Sequence, residues 1–485
     1  MPLNLIESAW IPVLCNDGSR RIIAPWQMAE ADILRPDWPR ADLNLGCLEL
    51  LIGLVYLADP PVDIEDWDAR RDGDPVRLRE KLGPFAPAFD LLGDGPRFLQ
   101  DLEPLDGTPA PVDMLFVDSA GGNTARNNAD LMVHRGRYPS LDVATAAMAL
   151  FTFQAHAPSG GAGNRTSMRG GGPMVTLADP QQDLWSLVWA NVPEGKPGRI
   201  EELPWMRPTC VSDKKQEVHP PEGRVFSTEA FLGMPRRLRL IEKEGAITGV
   251  IQKPWGTNYA LWKHPLSPHY RQKAGQSWLP KHPRAGHFGF RNWVGVIVNG
   301  EKDTLTELAR CLRDGQQRGG QAVLVAGWSM DNMKPRDFIW SEQPLVDLSL
   351  DAELRVIGMI EAAEAAGVAL RAALAPVLAE GESREAEREA FYLDAEPAFL
   401  RQVQSLAAKG DQRAEWLDHL RDVALRRFGA LAFDGLDRRP TREIGAIVNA
   451  HRNLQSSFRG YGKFGGQMFD ALGFDRPTGK KGKAA

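Results

Sequence analysis

Apolar positions recur along this chain at two different spacings, and the change from one to the other divides it. In the carboxy-terminal part, Val356, Ile360, Ala363, Gly367, Leu370 and Leu374 follow at steps of four and three, which lines them along one helical face. Ser383 opens a second helical stretch with Glu387 in its first turns, and Pro397 inside it predicts a kink or break. Trp416, Leu420, Val423, Phe428 and Leu431 define a third. Thr441 suits a cap with Glu443 in the first turn, and Ile444, Ile447, His451, Leu454 and Phe458 form the stripe of a fourth. Four helices of this kind predict a bundle over residues 346–470.

Before residue 345 the apolar runs are short and broken by proline, glycine and tryptophan. Val294–Val298 and Ala322–Ala326 read as strands; Leu48–Leu57, Val143–Phe153 and Thr304–Arg313 read as helices. The predicted fold class is therefore α+β. A large mixed α/β domain with long loops covers 1–345, the four-helix bundle follows, and the tail 471–485 is expected to be disordered and weakly adhesive to nucleic acid.

The densest punctuation lies in Pro158–Pro173, where six of sixteen residues are glycine and Arg165 and Arg169 are the only charges. Glycine admits positive φ and close backbone approach, and two arginines nearby suit phosphates. No lysine follows these glycines as a Walker loop requires, and no strand precedes them as a dinucleotide fingerprint requires. A flexible surface loop is the competing reading. The second segment of interest is Gly327-Trp-Ser-Met-Asp-Asn-Met-Lys334, which follows the Ala322–Ala326 strand. Asp331-Asn332 is turn chemistry, so Asn332, Met333 and Lys334 are expected at a hairpin tip, an amide, an apolar side chain and a cation suited to a nucleic-acid groove. An ordinary exposed turn is the alternative.

Composition narrows the classes. At 485 residues the chain exceeds one core, and 43% hydrophobic with 25% charged residues describes an ordinary globular protein. No apolar run is expected to reach the ~18 residues of a membrane span, and no signal peptide is apparent. Cys15, Cys47, Cys210 and Cys311 have no paired spacing, which argues against a disulfide framework or a zinc site and fits a reducing cytoplasm. A net charge of −5 does not announce a nucleic-acid binder. Lys214-Lys215, Arg236-Arg237-Leu-Arg239 and Arg271-Gln-Lys273 are basic islands in this acidic chain. There is no His-Glu-x-x-His, no Gly-x-Ser-x-Gly and no paired-cysteine redox motif, so no catalytic constellation, metal or cofactor is expected.

Asn4-Leu-Ile-Glu-Ser-Ala-Trp-Ile-Pro-Val13, the Ala157–Gly163 loop with its trailing Arg169-Gly-Gly, His264-Pro-Leu-Ser-Pro268 and the 327–334 turn together resemble, in order, the large-subunit (CasA) family of the type I-E CRISPR Cascade. The resemblance implies a non-catalytic subunit of an RNA-guided complex. It would read the protospacer-adjacent motif in double-stranded target DNA, help form the R-loop and dock the helicase–nuclease. Its other partners would be guide RNA and the backbone, small, guide-end-capping and guide-processing subunits.

On that resemblance the motif-reading residues are Gly160, Gly161, Ala162 and Gly163 of the loop, Lys253 in the minor groove, and Asn332 and Met333 as the wedge. Arg165, Arg169, Lys334, Asn127, Asn128 and His134 would touch phosphates or the guide, the last three on a loop spanning 123–138. Arg169 has a second reading, packing on the glycine loop. The alternative function is a nucleotide-dependent phosphate-handling enzyme with the glycine-rich loop 160–172 as cradle and Arg165 and Arg169 as clamps.

Overall fold

The computed structural model describes residues 3–128, 130, 133–161, 163–222, 226–299, 305–345, 349–378, 381–409 and 411–477. Two compact units result: Met1–His287 with Thr304–Leu345, and Phe288–Asp303 with Val346–Ala485. The fold is mixed helix and strand with a helical carboxy-terminal region.

The first unit is built around the helix Ala41–Ala58, sixteen of whose eighteen residues are buried. This corrects the expectation that no apolar run reaches membrane-span length: the helix has a mean hydropathy of 1.6 over 18 residues. It is a core helix, with 89% of that window buried inside the protein. The helix Val143–His156 packs on it where Gly46 faces Thr152, so closely that a Cβ at residue 46 would lie 2.3 Å from the threonine Oγ1. Glu49 is one helical turn from Gly46 and His156 one turn from Thr152, so the same crossing brings this acid and this imidazole together.

Among the described residues the strands form four three-stranded antiparallel sheets. Two position the candidate site. In one, Ala322–Asp331 is the central strand between Val175–Asp179 and Lys334–Pro344. In the other, Arg237–Lys243 pairs with Ala246–Lys253. The expected strand at 322–326 is thus the start of a longer one. Val294–Val298 is instead a tight turn, because Gly295 takes φ +70° and the Val298 amide returns to Trp293. Thr306–Glu307 pairs as a strand with His269–Tyr270, so the helix expected over 304–313 begins only at Arg310.

In the second unit the four expected helices run over Leu350–Ala373, Glu382–Lys409, Arg413–Ala432 and Thr441–Ser457, and a fifth follows at Gly462–Ala471. Pro397 does not break its helix; buried Phe391, Ala395, Phe399 and Val403 hold the segment to the core on both sides of it. Thr441 is the first helical residue and Pro440 takes the cap position. His451 stacks on Phe428 at 5.6 Å, as its place on the apolar stripe suggests. Residues 288–303, expected with the amino-terminal domain, belong to this unit because Phe290 and Trp293 pack their rings on Phe399. The expected tail is helical at its start, and Arg476 is paired with Asp470; residues 478–485 lie outside the described residues.

Candidate nucleic-acid interface

The hairpin at 331–334 has a two-residue turn. Asn332 and Met333 both take left-handed backbone, φ +49° and +62°, the geometry of a type I′ turn whose twist matches the flanking strands. Asn332 tolerates that region; an unbranched methionine enters it at a cost. Met333 is 48% exposed, and Asp331 braces the turn through the Asn332 amide at 3.0 Å and Arg336 at 2.8 Å. Lys334 is exposed and opens the return strand.

The glycine loop is tied at several levels. The Gly172 amide donates to the His156 carbonyl, the Ser167 amide to Ala157, and Gly160 and Asn164 close the outer turn at 3.3 Å. Its second cluster packs on its own chain: a Cβ at Gly172 would lie 2.4 Å from the Trp328 carbonyl, and one at Gly171 would lie 3.4 Å from the Met333 sulfur. Glycines 170–172 therefore serve internal packing. Gly160 and Gly161 are the exposed members, and Gly161 has open space around it. Gly163 lies under the Trp255 ring, where a Cβ would come within 2.6 Å, and its carbonyl accepts from the Trp255 amide at 2.9 Å. Ala162 lies outside the described residues.

The two loop arginines are already engaged. Arg169 is buried, its guanidinium 2.6 Å from Glu49 and 3.2 Å from the Ser267 hydroxyl. This corrects its assignment as a phosphate contact in favour of the packing alternative, since a charge neutralised inside the core has no free face for a phosphate. Glu49 also meets His156 Nε2 at 2.5 Å. Burial raises the Glu49 pKa, but Arg169 and His156 lower it more, to about 2. His264, buried beside this cluster, is driven well below its usual 6.5, first by burial and then by Arg169. Arg165 donates to the Ser212 hydroxyl and carbonyl and lies over the Trp255 ring at 5.6 Å, half-buried.

Lys253 ends the Ala246–Lys253 strand opposite Arg237, and Trp255 follows two residues later with φ +62° and 41% exposure. Lys253, the glycine loop and the hairpin tip are thus joined through Trp255–Gly163 and Met333–Gly171. Asn127, Asn128 and His134 are exposed on another loop, braced by Arg135 against Asp130 and the Asn128 side chain. Among the described residues no hydrogen bond or ion pair links that loop to the glycine loop.

Three residues escaped the sequence reading: Glu49, Trp255 and Arg236. Glu49 sits in an apolar helix with nothing to announce its partner. Arg236 belongs to a visible basic island, but only structure separates its members. Arg237 is neutralised by Asp101 at 2.6 Å, whereas burial alone lowers the Arg236 pKa to about 10. No group of three or more histidine, cysteine, aspartate or glutamate side chains among the described residues is arranged to hold a metal ion.

Comparison with known proteins adds a family. The model described as CRISPR-associated protein Cse1 matches residues 4–427. CasA (Cse1) of Thermus thermophilus superposes with a TM-score of 0.69 at 18% identity, over 94% of this chain and 98% of that one. Cse1 of Acidimicrobium ferrooxidans gives 0.69 at 19% identity, over 98% and 99%. A chain of a structure described as a CRISPR RNA-guided surveillance complex gives 0.69 at 16% identity, over 93% and 99%. At such identities the superpositions establish a shared fold.

Proposed function

The chain belongs to the CRISPR-associated Cse1 family, and from that premise we propose that it is a non-catalytic subunit of a type I-E RNA-guided DNA surveillance complex. In this reading it recognises the protospacer-adjacent motif in duplex DNA, assists strand opening and R-loop formation, and docks the helicase–nuclease. Guide RNA and the other Cascade subunits are its partners. One matched structure is itself described as an RNA-guided surveillance complex, which supports the assembly. The four free cysteines suit a reducing cytoplasm.

The observation that carries the proposal is the meeting of two distant segments. The hairpin tip lies against the glycine loop at Met333 and Gly171, 162 residues apart in sequence. In this reading the exposed glycine backbone at 160–161, the apolar tip at 333 and Lys253, two residues before the Trp255 that pairs with Gly163, form one reading surface. Backbone without side chains suits close approach to a groove, and an apolar tip suits insertion between base pairs. Sequence matching is left to the guide, so a net acidic subunit needs only a small reading surface. Asn127, Asn128, His134 and Lys334 serve as outer contacts to phosphate or guide.

The nucleotide-handling alternative is weakened by the positions of its clamps, since Arg165 is held by Ser212 and Arg169 by Glu49. The test is reconstitution with the full set of Cascade subunits and guide RNA. Binding to a motif-bearing duplex should exceed binding to a motif-free duplex of the same length, and Lys253→Ala should reduce the difference. Equal binding to both duplexes sinks the proposal, and micromolar binding of a nucleoside triphosphate to the free chain favours the alternative.

A further inference from the structure

Arg236 is a buried cation with no matching anion. It is 4% exposed, and its backbone is fixed from both sides by Gln154, which accepts from the Arg236 amide and donates to its carbonyl, each at 3.0 Å. The guanidinium reaches the Pro158 carbonyl at 2.5 Å and lies over the Phe153 ring at 5.2 Å. Its Nε has no hydrogen-bond partner. No carboxylate among the described residues forms an ion pair with it, and burial lowers its pKa to about 10. A buried guanidinium normally sits beside a carboxylate, because an uncompensated charge away from water is strongly unfavourable.

What this side chain faces gives the explanation. A Cβ on Gly160 would lie 3.1 Å from Arg236 Nη1, so the guanidinium lies directly beneath the exposed tip of the glycine loop. The Asn164 side chain lies at the same point, 2.9 Å from that Cβ position, so Gly160 backbone and Asn164 are what stand around the guanidinium on this side. Gly160 and Gly161 are exposed, and Gly161 has nothing within 4 Å of its Cβ position. The missing anion therefore has room on the outer side of the loop.

We infer that Arg236 is a phosphate-binding residue, holding its guanidinium beneath Gly160 for a phosphodiester of the duplex that lies across the glycine loop. The inference rests on the proposed duplex-reading function and assigns a charge to the part of that surface where Gly160 and Gly161 expose only backbone. The fold carries the unfavourable burial of this cation, and the phosphate relieves it on binding.

Arg236→Met and Arg236→Lys separate this role from a structural one. In the assembled complex, Arg236→Met should lower affinity for the motif duplex about tenfold or more, as for loss of a charge-assisted contact. It should also reduce the slope of log affinity against log salt by roughly 0.9, one phosphate's worth. The free Met variant should melt at the wild-type temperature or above, because an uncompensated buried charge has been removed. Arg236→Lys should keep the salt slope. Loss of melting temperature with an unchanged slope overturns the inference, as do unchanged affinity or a defect confined to guide-RNA retention. A wild-type complex indifferent to the motif instead overturns the duplex-reading proposal. In that case inorganic pyrophosphate decides: stabilisation of wild type and not of Arg236→Met keeps the anion site, and no stabilisation removes it.

Discussion

Glu49 and Arg169 meet at 2.6 Å inside the amino-terminal unit, and only 2% and 5% of their side-chain surfaces reach solvent. The pair ties the glycine loop to the central helix. Removing one member leaves the other charged and buried, which costs about 3–5 kcal/mol. Arg169→Ala and Glu49→Ala should therefore both lower the melting temperature sharply. The salt slope of duplex binding, measured where both variants remain folded, should be unchanged. A slope reduced by one phosphate in Arg169→Ala would restore that residue as a DNA contact.

Acid should destabilise the protein in two stages. His269 is pushed down to about 4 and His264 well below 6.5, in both cases by burial first. The unfolded chain takes up protons on these groups below its ordinary 6.5 while the folded chain does not. The His269 contribution is thus full above pH 6.5 and is lost as pH falls toward 4, by roughly 3 kcal/mol, and the His264 contribution is lost in the same direction. Glu49, held at about 2, contributes fully above its ordinary 4.5 and loses that contribution between 4.5 and 2. Urea midpoints from pH 8 to 3 should show both limbs, and His269→Gln should shrink the upper one. A midpoint flat from 8 to 5 contradicts the assignment.

The glycines of the outer loop should separate by role. Gly161 has φ +68° and open space, so Gly161→Asp should cost at most about 1 kcal/mol of stability. Its charge and bulk should nonetheless weaken motif-dependent binding. Gly163→Ala meets both a left-handed backbone at +78° and the Trp255 ring, so it should lose stability as well as binding. Melting curves beside duplex affinities check the pair; equal melting temperatures for the two variants would contradict the packing described.

Truncating Asn332 and Met333 together to alanine should impair duplex opening more than initial motif binding. Unstacking a base step costs a few kcal/mol, recovered only if a side chain fills the gap. R-loop formation should fail on a closed duplex and be largely restored by a pre-melted bubble beside the motif. An equal defect on both substrates makes the tip a simple contact surface.

Much of the architecture was legible because its signals are local. The Val356–Leu374 stripe is one helical face whatever packs on it, and Asp331-Asn332 specifies a tight turn from its own backbone preferences. The Ala41–Ala58 helix misled in one respect, because a largely apolar helix looks alike whether a protein core or a lipid surrounds it. The site was harder. Glycine richness identified the 158–173 loop, but it does not say which glycines face outward and which face Trp328 or Trp255. Arginine beside glycine suggested phosphate equally at 165 and 169, and the basic island 236–239 gave no reason to single out Arg236. The distinction depends on carboxylates over 100 residues distant, Glu49 for Arg169 and Asp101 for Arg237, and pairing across such distances leaves no mark in local sequence.

The ties from His156 to Gly172, Ala157 to Ser167 and Gly160 to Asn164 have a kinetic consequence. A loop ordered by its own fold has little left to immobilise when it meets a ligand, so the entropy of arranging it is spent before encounter. Arrival should then be governed by diffusion and orientation, with no slow rearrangement step. Correct and incorrect motifs should arrive at similar rates and differ in how long they stay. On the duplex-reading proposal, discrimination becomes a matter of residence time, set by how well the duplex fits the surface these ties hold.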